Sequence, residues 1–527
     1  MLYKHQEIAI DRFKDEAEIG LFFEMGCGKS LTALKIAEHK FQKGKIDALL
    51  VIAPNDVHKQ WAVEQVPQWL TVGHQVQCLY GKGGQKTFYP FDEDGSLQVV
   101  TVNVDTFSLP AKWVSIADWA NSHKAMIILD EATSIKNIKA QRTKRILYSF
   151  NDVLMWRKTV LKSTVKTVAR AVLTGTPVTN GPMDLWAIME FLRPNYFRMN
   201  YYSFQQYFGM FTKLGVGKDN RQINVPLTAD TWQEIKRMNV YDVASYTFGI
   251  SLDTFNTIHA QERYEGPYKH ADELKKLIEP VSMFVRLVDC VDMPEQRSIV
   301  REVEMNDEQW RCYRDMADEY IAQYGDKVMT ALNKMTVMLR LQQISSGFLC
   351  DKTFSESQVQ DGSADVSPND GVQWIGKSCP KLEALYRDVA EANKPVIIIT
   401  RFSAEASRIY DDLSKEYSCC LMTGWKRVGT IEDFKAGKYD VMVANSTVIS
   451  KGFNLQISHT MLFYSNSFSL ETRLQAEGRT FRIGQYDPCI YIDYRNKNSV
   501  DEKVWKALTM KHELLDFIRG TSLRELV

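Results

Sequence analysis

Short, unbroken apolar runs recur along the chain, with polar-faced helical spacing between them. The runs 48–53, 99–102 and 125–129 lie in the first third, and 395–400, 441–444 and 461–464 in the last. Their length and lack of alternation predict strands buried on both faces, as in parallel sheets. Strands alternating with helices predict an α/β fold with doubly wound sheets, and two clusters of strands predict two lobes. From about residue 180 to 378 the pattern reads mostly as helix and loop. Helical apolar spacing covers 275–288 and 307–341. The aromatics Tyr201, Tyr202, Phe204, Tyr207 and Phe208 are expected to pack together rather than form a binding platform. The polar stretch 351–371, rich in Ser, Asp and Gly, reads as a mobile loop.

Length agrees with this division, because 527 residues are too many for one ordinary core. Charge decides little. Sixty-five basic and sixty-five acidic residues cancel, so any nucleic-acid site must come from local clustering. The nine cysteines include no Cys-x-x-Cys pair and no zinc spacing, which fits a reducing compartment. Lys4, Glu7, Asp11, Arg12 and Lys14 stand where a secretory signal would need an apolar run. With no stretch apolar enough to cross a bilayer, a cytoplasmic protein is expected.

Three clusters carry candidate chemistry. Gly26-Cys27-Gly28-Lys29-Ser30 lies between the apolar Leu21-Phe22-Phe23 and a helical pattern. Glycines free the backbone N–H groups to converge on phosphate, with a helix N-terminus behind them. Lys29 would reach the outer phosphates and the Ser30 hydroxyl would ligate magnesium. Phe23 replaces the first glycine of the full phosphate-loop pattern, so a plain helix-entry turn stays open on this motif alone. Asp130-Glu131 directly follows the run ending at Leu129 and emerges at a strand's carboxyl end, where such sheets bind ligands. Asp130 is suited to hold magnesium, and Glu131 to activate the attacking water. Arg479 and Arg482, three apart, would share one face of a helix. Taken alone they would as readily be a salt-bridged helix face; a guanidinium also matches a transferring phosphoryl group.

Asp130-Glu131-Ala132-Thr133-Ser134-Ile135-Lys136-Asn137 and Leu173-Thr174-Gly175-Thr176-Pro177-Val178-Thr179-Asn180 resemble motifs of superfamily-two helicase-like ATPases, in particular the Swi/Snf-type branch. The resemblance continues in order through Leu2-Tyr3-Lys4-His5-Gln6, Leu185-Trp186, Phe191-Leu192-Arg193-Pro194, Ser450-Lys451-Gly452-Phe453-Asn454-Leu455 and the segment from Gln475 to Gln485. It ends in Val500-Asp501-Glu502-Lys503-Val504-Trp505. Thr133 replaces a usual histidine, and the motif around Gly452 lacks the fuller glycine run.

The resemblance implies two RecA-like parallel-sheet lobes with helical insertions between them. Lobe one is expected over 1–180, with a helical insertion and return to that lobe over 181–290. A second helical insertion covers 291–377, lobe two 378–495, and a helix packing on the core 496–527. ATP and magnesium are the implied cofactors, and double-stranded or branched DNA the partner. Gln6 would recognise adenine, and Gly26, Cys27, Gly28, Lys29 and Ser30 would hold phosphate. Thr174, Gly175 and Thr176 would couple nucleotide state to DNA. Gly452 and Gln475 would line the cleft from lobe two, and Arg479 and Arg482 would be arginine fingers supplied in cis. The basic stretch from Lys136 to Arg170, opposed only by Asp152, suits phosphate contacts without sequence preference. The expected activity is an ATP-dependent motor translocating on duplex DNA, in a compact prokaryotic or phage form. A strand-unwinding DNA or RNA helicase, and a DNA-binding scaffold without turnover, are the alternatives.

Overall fold

A computed structural model describes residues 2–55, 57–79, 85, 87–108, 110–150, 155–156, 159–160, 165–179, 181–209, 211–216, 221–226, 268–324, 331–354, 358, 364–376, 378–449 and 454–519. The chain divides into two units. One comprises 1–210, 267–292 and 513–527; the other comprises 211–266 and 293–512.

The first unit is built on strands β1 (Glu18–Phe23), β2 (Ala48–Ala53), β3 (His74–Leu79), β4 (Leu97–Asn103) and β5 (Ala125–Asp130). A short hairpin, β6 (Met155–Trp156) with β7 (Thr159–Val160), precedes β8 (Ala169–Leu173). The hairpin β9 (Phe211–Val216) with β10 (Arg221–Pro226) falls in the second unit, and β11 (Ser282–Val285) brings the chain back to the first. The seven-stranded sheet has the order β11-β1-β8-β5-β2-β4-β3, with every pairing parallel. Leu49, Leu50, Val51, Ile127 and Ile128 are fully buried on its two faces, which is why β2 and β5 read as continuous apolar runs.

After the β9–β10 hairpin, the second unit resumes with β12 (Gln296–Val303) and a small pair, β13 (Phe348–Leu349) with β14 (Gln373–Trp374). It continues through β15 (Val396–Thr400), β16 (Cys419–Met422), β17 (Arg427–Val428), β18 (Val441–Asn445), β19 (Thr460–Phe463) and β20 (Cys489–Asn496). Its sheet has the order β12-β20-β19-β15-β18-β16-β17 and is parallel except for the β16–β17 turn-back. Both sheets are α/β and parallel, as the run pattern predicts.

Three expectations are corrected. The helical spacing over 275–288 conceals β11: the helix Ala271–Ile278 stops, a single turn carries Pro280, and Ser282–Val285 pairs with β1. A four-residue apolar run cannot be told from one helix face by periodicity. The segment 291–377 is not purely helical, because its residues 296–303 form β12, the edge of the second sheet. Its side chains are mostly exposed, so no apolar run marks it. The helices Asp307–Tyr324 and Ala331–Ser345 follow it. Lastly, the described part of 351–371 is tied into the core. Ala364 and Val366 are fully buried with Phe348 and Phe402, and Asp365 accepts from Ser403 N and Oγ at 2.8 and 2.6 Å. One capping aspartate and two small apolar residues anchor what composition alone marks as solvated loop. Among the described residues, no helix is long and apolar enough to cross a membrane.

Candidate nucleotide site

The order β1-β8-β5 sets three chain segments side by side at the carboxyl edge of the first sheet. Residues 24–28 follow β1, Thr174-Gly175-Thr176 follows β8, and Glu131 follows β5. The segment after β1 turns through Gly26 (φ +88°) and Gly28 (φ +75°) into α2 (Lys29–Gln42). A side chain at Gly28 is excluded twice over. Its φ is left-handed, and a Cβ there would stand 2.1 Å from Gln6 Nε2. The first N–H groups of α2 have no acceptor within the helix, so they face the mouth of this loop.

Gln6 stands on α1 (Lys4–Phe13), where its Oε1 accepts from Tyr3 N at 2.9 Å and its Nε2 lies 3.5 Å from Cys27 O. The neighbouring His5 donates from Nε2 to the same carbonyl at 2.8 Å. Lys29 folds back over the end of β1, its Nζ donating to Phe23 O at 3.0 Å and Glu24 O at 3.4 Å. Gly175 approaches the same strand end, where a Cβ would meet Phe23 O at 3.2 Å and Met25 N at 3.5 Å. The coupling motif thus rests against the loop's own backbone. Thr176 N donates to Thr174 Oγ1 at 3.1 Å, and Thr174 N to Leu21 O at 3.2 Å.

Asp130 is buried at the end of β5. Its Oδ2 accepts from the Trp61 indole N–H at 2.7 Å, and its Oδ1 from Glu131 N at 3.0 Å. Burial pushes its carboxyl above the ordinary range, while the Trp61 donor and the nearby Lys29 charge oppose that shift. Glu131 is half-buried and left-handed, at φ +50°. Beyond it Lys136 donates to Thr179 Oγ1 at 2.8 Å, and Thr179 in turn donates to Asp184. The structure therefore brings Gln6, Gly26, Cys27, Gly28, Lys29, Ser30, Asp130, Glu131, Thr174, Gly175 and Thr176 to one edge of one sheet.

In the second unit the helix Leu470–Glu477 is capped by Ser469, whose side chain accepts from Thr472 N at 3.2 Å. Gln475 lies on this helix, half-buried, with Nε2 3.5 Å from Glu471 Oε1. Arg479 and Arg482 do not share a helix face, contrary to the spacing argument. The helix ends at Glu477, Gly478 follows, and both arginines sit in consecutive turns. Two glutamines hold those turns. Gln456 Nε2 donates to Arg482 O at 3.3 Å and Ile483 O at 2.5 Å, and buried Gln485 donates to Gln456 O at 3.0 Å. Arg479 is buried. Arg482 is partly buried, and burial alone lowers its guanidinium from the usual value. Among the described residues no carboxylate forms an ion pair with it. Gly452 lies outside the described residues, as do Arg157, Lys158 and Lys162 of the basic stretch. Arg170 from that stretch is buried and donates to Phe191 O at 2.8 Å, so it serves the core.

Sequence reasoning does not single out two residues at this site in the first unit, nor one structural arginine in the second. Trp61 and His5 act through contacts with residues distant in sequence, which leave no trace in spacing or periodicity. Arg473 is nearly buried, donating to Glu477 Oε1 at 2.6 Å and Asp493 Oδ2 at 2.9 Å, with its guanidinium 3.4 Å from the Phe463 ring centroid. Its charge resembles that of Arg479 and Arg482, and only the fold separates their roles.

The SNF2-related domain family matches residues 15–347, and the helicase conserved C-terminal domain matches residues 380–484. The chain is similar to "Chromatin structure-remodeling complex protein SYD" of Arabidopsis thaliana, 22% identical over 497 residues, covering 91% of this chain and 12% of that protein. It is also similar to "SWI/SNF-related matrix-associated actin-dependent regulator of chromatin subfamily A member 1" of Homo sapiens, 21% identical over 505 residues, covering 93% of this chain and 40% of that protein. The chain therefore spans less than half the length of either relative. Among solved structures, the "Sulfolobus solfataricus SWI2/SNF2 ATPase core in complex with dsDNA" matches with a TM-score of 0.36 and 18% identity, covering 98% of this chain and 92% of that one.

Proposed function

The chain belongs to the SNF2-related family, and we propose on that footing that it is a DNA-dependent ATPase that translocates on double-stranded DNA. The observation that carries this reading is the convergence of the 24–30 loop, Asp130-Glu131 and Thr174-Gly175-Thr176 on three neighbouring strand ends. ATP is the substrate. The loop's backbone N–H groups and Lys29 bind its phosphates, and Gln6, packed against Gly28 beside the loop, recognises the base. Glu131, directly after Asp130 at the carboxyl end of β5, orients and deprotonates the attacking water. Arg482, partly buried and without a carboxylate partner among the described residues, is the group suited to stabilise charge on the transferring phosphoryl.

The donor set also fits magnesium. Ser30 supplies a hydroxyl on the first turn of α2, and each Asp130 oxygen accepts one hydrogen bond and keeps a lone pair. The chemistry supplied by the ion there is neutralisation of charge on the terminal phosphate oxygens. Duplex DNA as the track accords with the printed names of the chromatin relatives. Steady-state ATP hydrolysis measured with duplex DNA, single-stranded DNA and RNA tests the reading. Duplex DNA is expected to stimulate most, and stimulation by RNA alone would overturn it.

A further inference from the structure

Phe23 and Val285 are register partners in the parallel pair β1–β11, so the chain leaves both strands at the same sheet edge. Glu24 N donates to Val285 O at 2.8 Å, and Leu287 N to Glu24 Oε2 at 2.8 Å, which clamps the two departing segments together. Four residues past β1 stands Cys27, and five past β11 stands Cys290, at the end of the single turn Leu287–Cys290. The two thiols are near enough to bias each other's proton, and His5, which donates to the Cys27 carbonyl at 2.8 Å, is near enough to favour the Cys290 thiolate. Cys27 is 1% exposed, whereas Cys290 is half-buried and open to a small reagent. Flanking glycines leave the Cys27 backbone free to adjust to a cross-link.

We propose that Cys27 and Cys290 form a dithiol switch, in which a hydroperoxide joins them as an intrachain disulfide that fastens the phosphate loop and shuts off nucleotide binding until a thiol reductant releases it. The switch rests on the assignment of the 26–30 loop to phosphate. Cys290 is the attacking sulfur. As a thiol it donates to Arg286 O at 3.2 Å, and the Cys27 S–H and His5 together favour its thiolate, holding it down to about 6 against burial. Cys27 is pushed up, because its proton bridges to Cys290 and because it is buried. The Cys290 thiolate attacks one peroxide oxygen, breaking the O–O bond and releasing an alkoxide that takes a proton, and leaves a sulfenic acid. The Cys27 sulfur then attacks that sulfur, the S–S bond forms and water leaves. The two thiols lose two electrons and two protons, and the hydroperoxide is reduced to alcohol and water. A disulfide fixes the Cβ–Cβ separation near 3.8 Å, so the loop can no longer open around a phosphate.

The full chain is treated with hydrogen peroxide, digested without reduction and mapped by mass spectrometry, while a fluorescent ATP analogue reports binding. The expected result is a Cys27–Cys290 cross-linked peptide, a loss of two from nine titratable thiols, and affinity at least tenfold weaker that dithiothreitol restores. Cys290→Ser is expected to bind the analogue equally well before and after peroxide. Absence of the cross-link, a cross-link that leaves affinity unchanged, or equal peroxide sensitivity in Cys290→Ser would each overturn the proposal. If the reduced chain binds no nucleotide at all, the phosphate-loop assignment fails, while the peptide map still decides whether the disulfide forms.

Discussion

Glu131 is held at φ +50°, a conformation that costs a non-glycine residue roughly 1–3 kcal/mol and is retained where the surroundings impose it. Asp130 is held by Trp61 and by the Glu131 amide, and the Glu131 carboxylate follows it at the carboxyl end of β5, where the proposed mechanism has it act on water. Glu131→Gln is therefore expected to keep ATP binding and to lose hydrolysis by ~100-fold or more. Near-normal turnover measured by phosphate release would remove it from that role. Gly28→Ala meets both a positive φ and the Gln6 amide, so ATP affinity is expected to fall at least tenfold while the fold survives. Titration with a fluorescent nucleotide reads this out, and unchanged affinity would show that the loop can relax. Cys290 offers a pH signature. With its pKa at about 6, set by Cys27 and His5 against burial and Asp289, its alkylation by iodoacetamide should rise through pH 6 and level off above it. A midpoint near the ordinary thiol value of about 8.5 would contradict the assignment.

At the level of the element, the segment 470–485 contains three arginines with two jobs. Arg473 is locked between Glu477 and Asp493 over Phe463, so Arg473→Ala leaves two partly or fully buried carboxylates without their cation. A loss of ~3–5 kcal/mol in the urea stability of the second unit is expected. Arg482→Ala should leave that stability unchanged and lose DNA-stimulated hydrolysis by ~10³-fold. The same denaturation curve for both variants would erase the distinction. This segment also shows what sequence can and cannot reveal. Residues 26–30, 130–131 and 174–176 are legible because glycine, lysine and carboxylate directly after apolar runs have few other uses. The strands at 48–53, 125–129 and 396–400 are legible because water touches neither face. Edge strand β12 is hidden because most of its side chains are solvated, and β11 because four apolar residues also fit a helix face. Trp61 and Asp365 are hidden because each works by hydrogen bonds to a distant residue, which no local pattern encodes.

For the whole molecule, a neutral net charge means that DNA affinity must come from local arrays of lysine and arginine. Such contacts release counterions, so duplex stimulation of ATP hydrolysis is expected to fall steeply between about 50 and 200 mM salt. ATP hydrolysis without DNA should change little over the same range, and parallel salt profiles with and without DNA would speak against a phosphate-reading track.

The pairing of β12 with β20 bears on how the molecule is made. Residues 296–303 leave the ribosome long before 489–496, the strand they must lie beside. At about 5–20 residues per second, the interval is roughly 10–40 s. During that time β12 has no partner strand, and once β19 is made its backbone groups stay unpaired until β20 follows. A fragment designed to begin at residue 380, where the helicase C-terminal match starts, would lack β12 and leave β20 as an uncovered edge. A fragment beginning before residue 296 keeps the sheet whole, and is the one expected to stay monomeric when expressed alone.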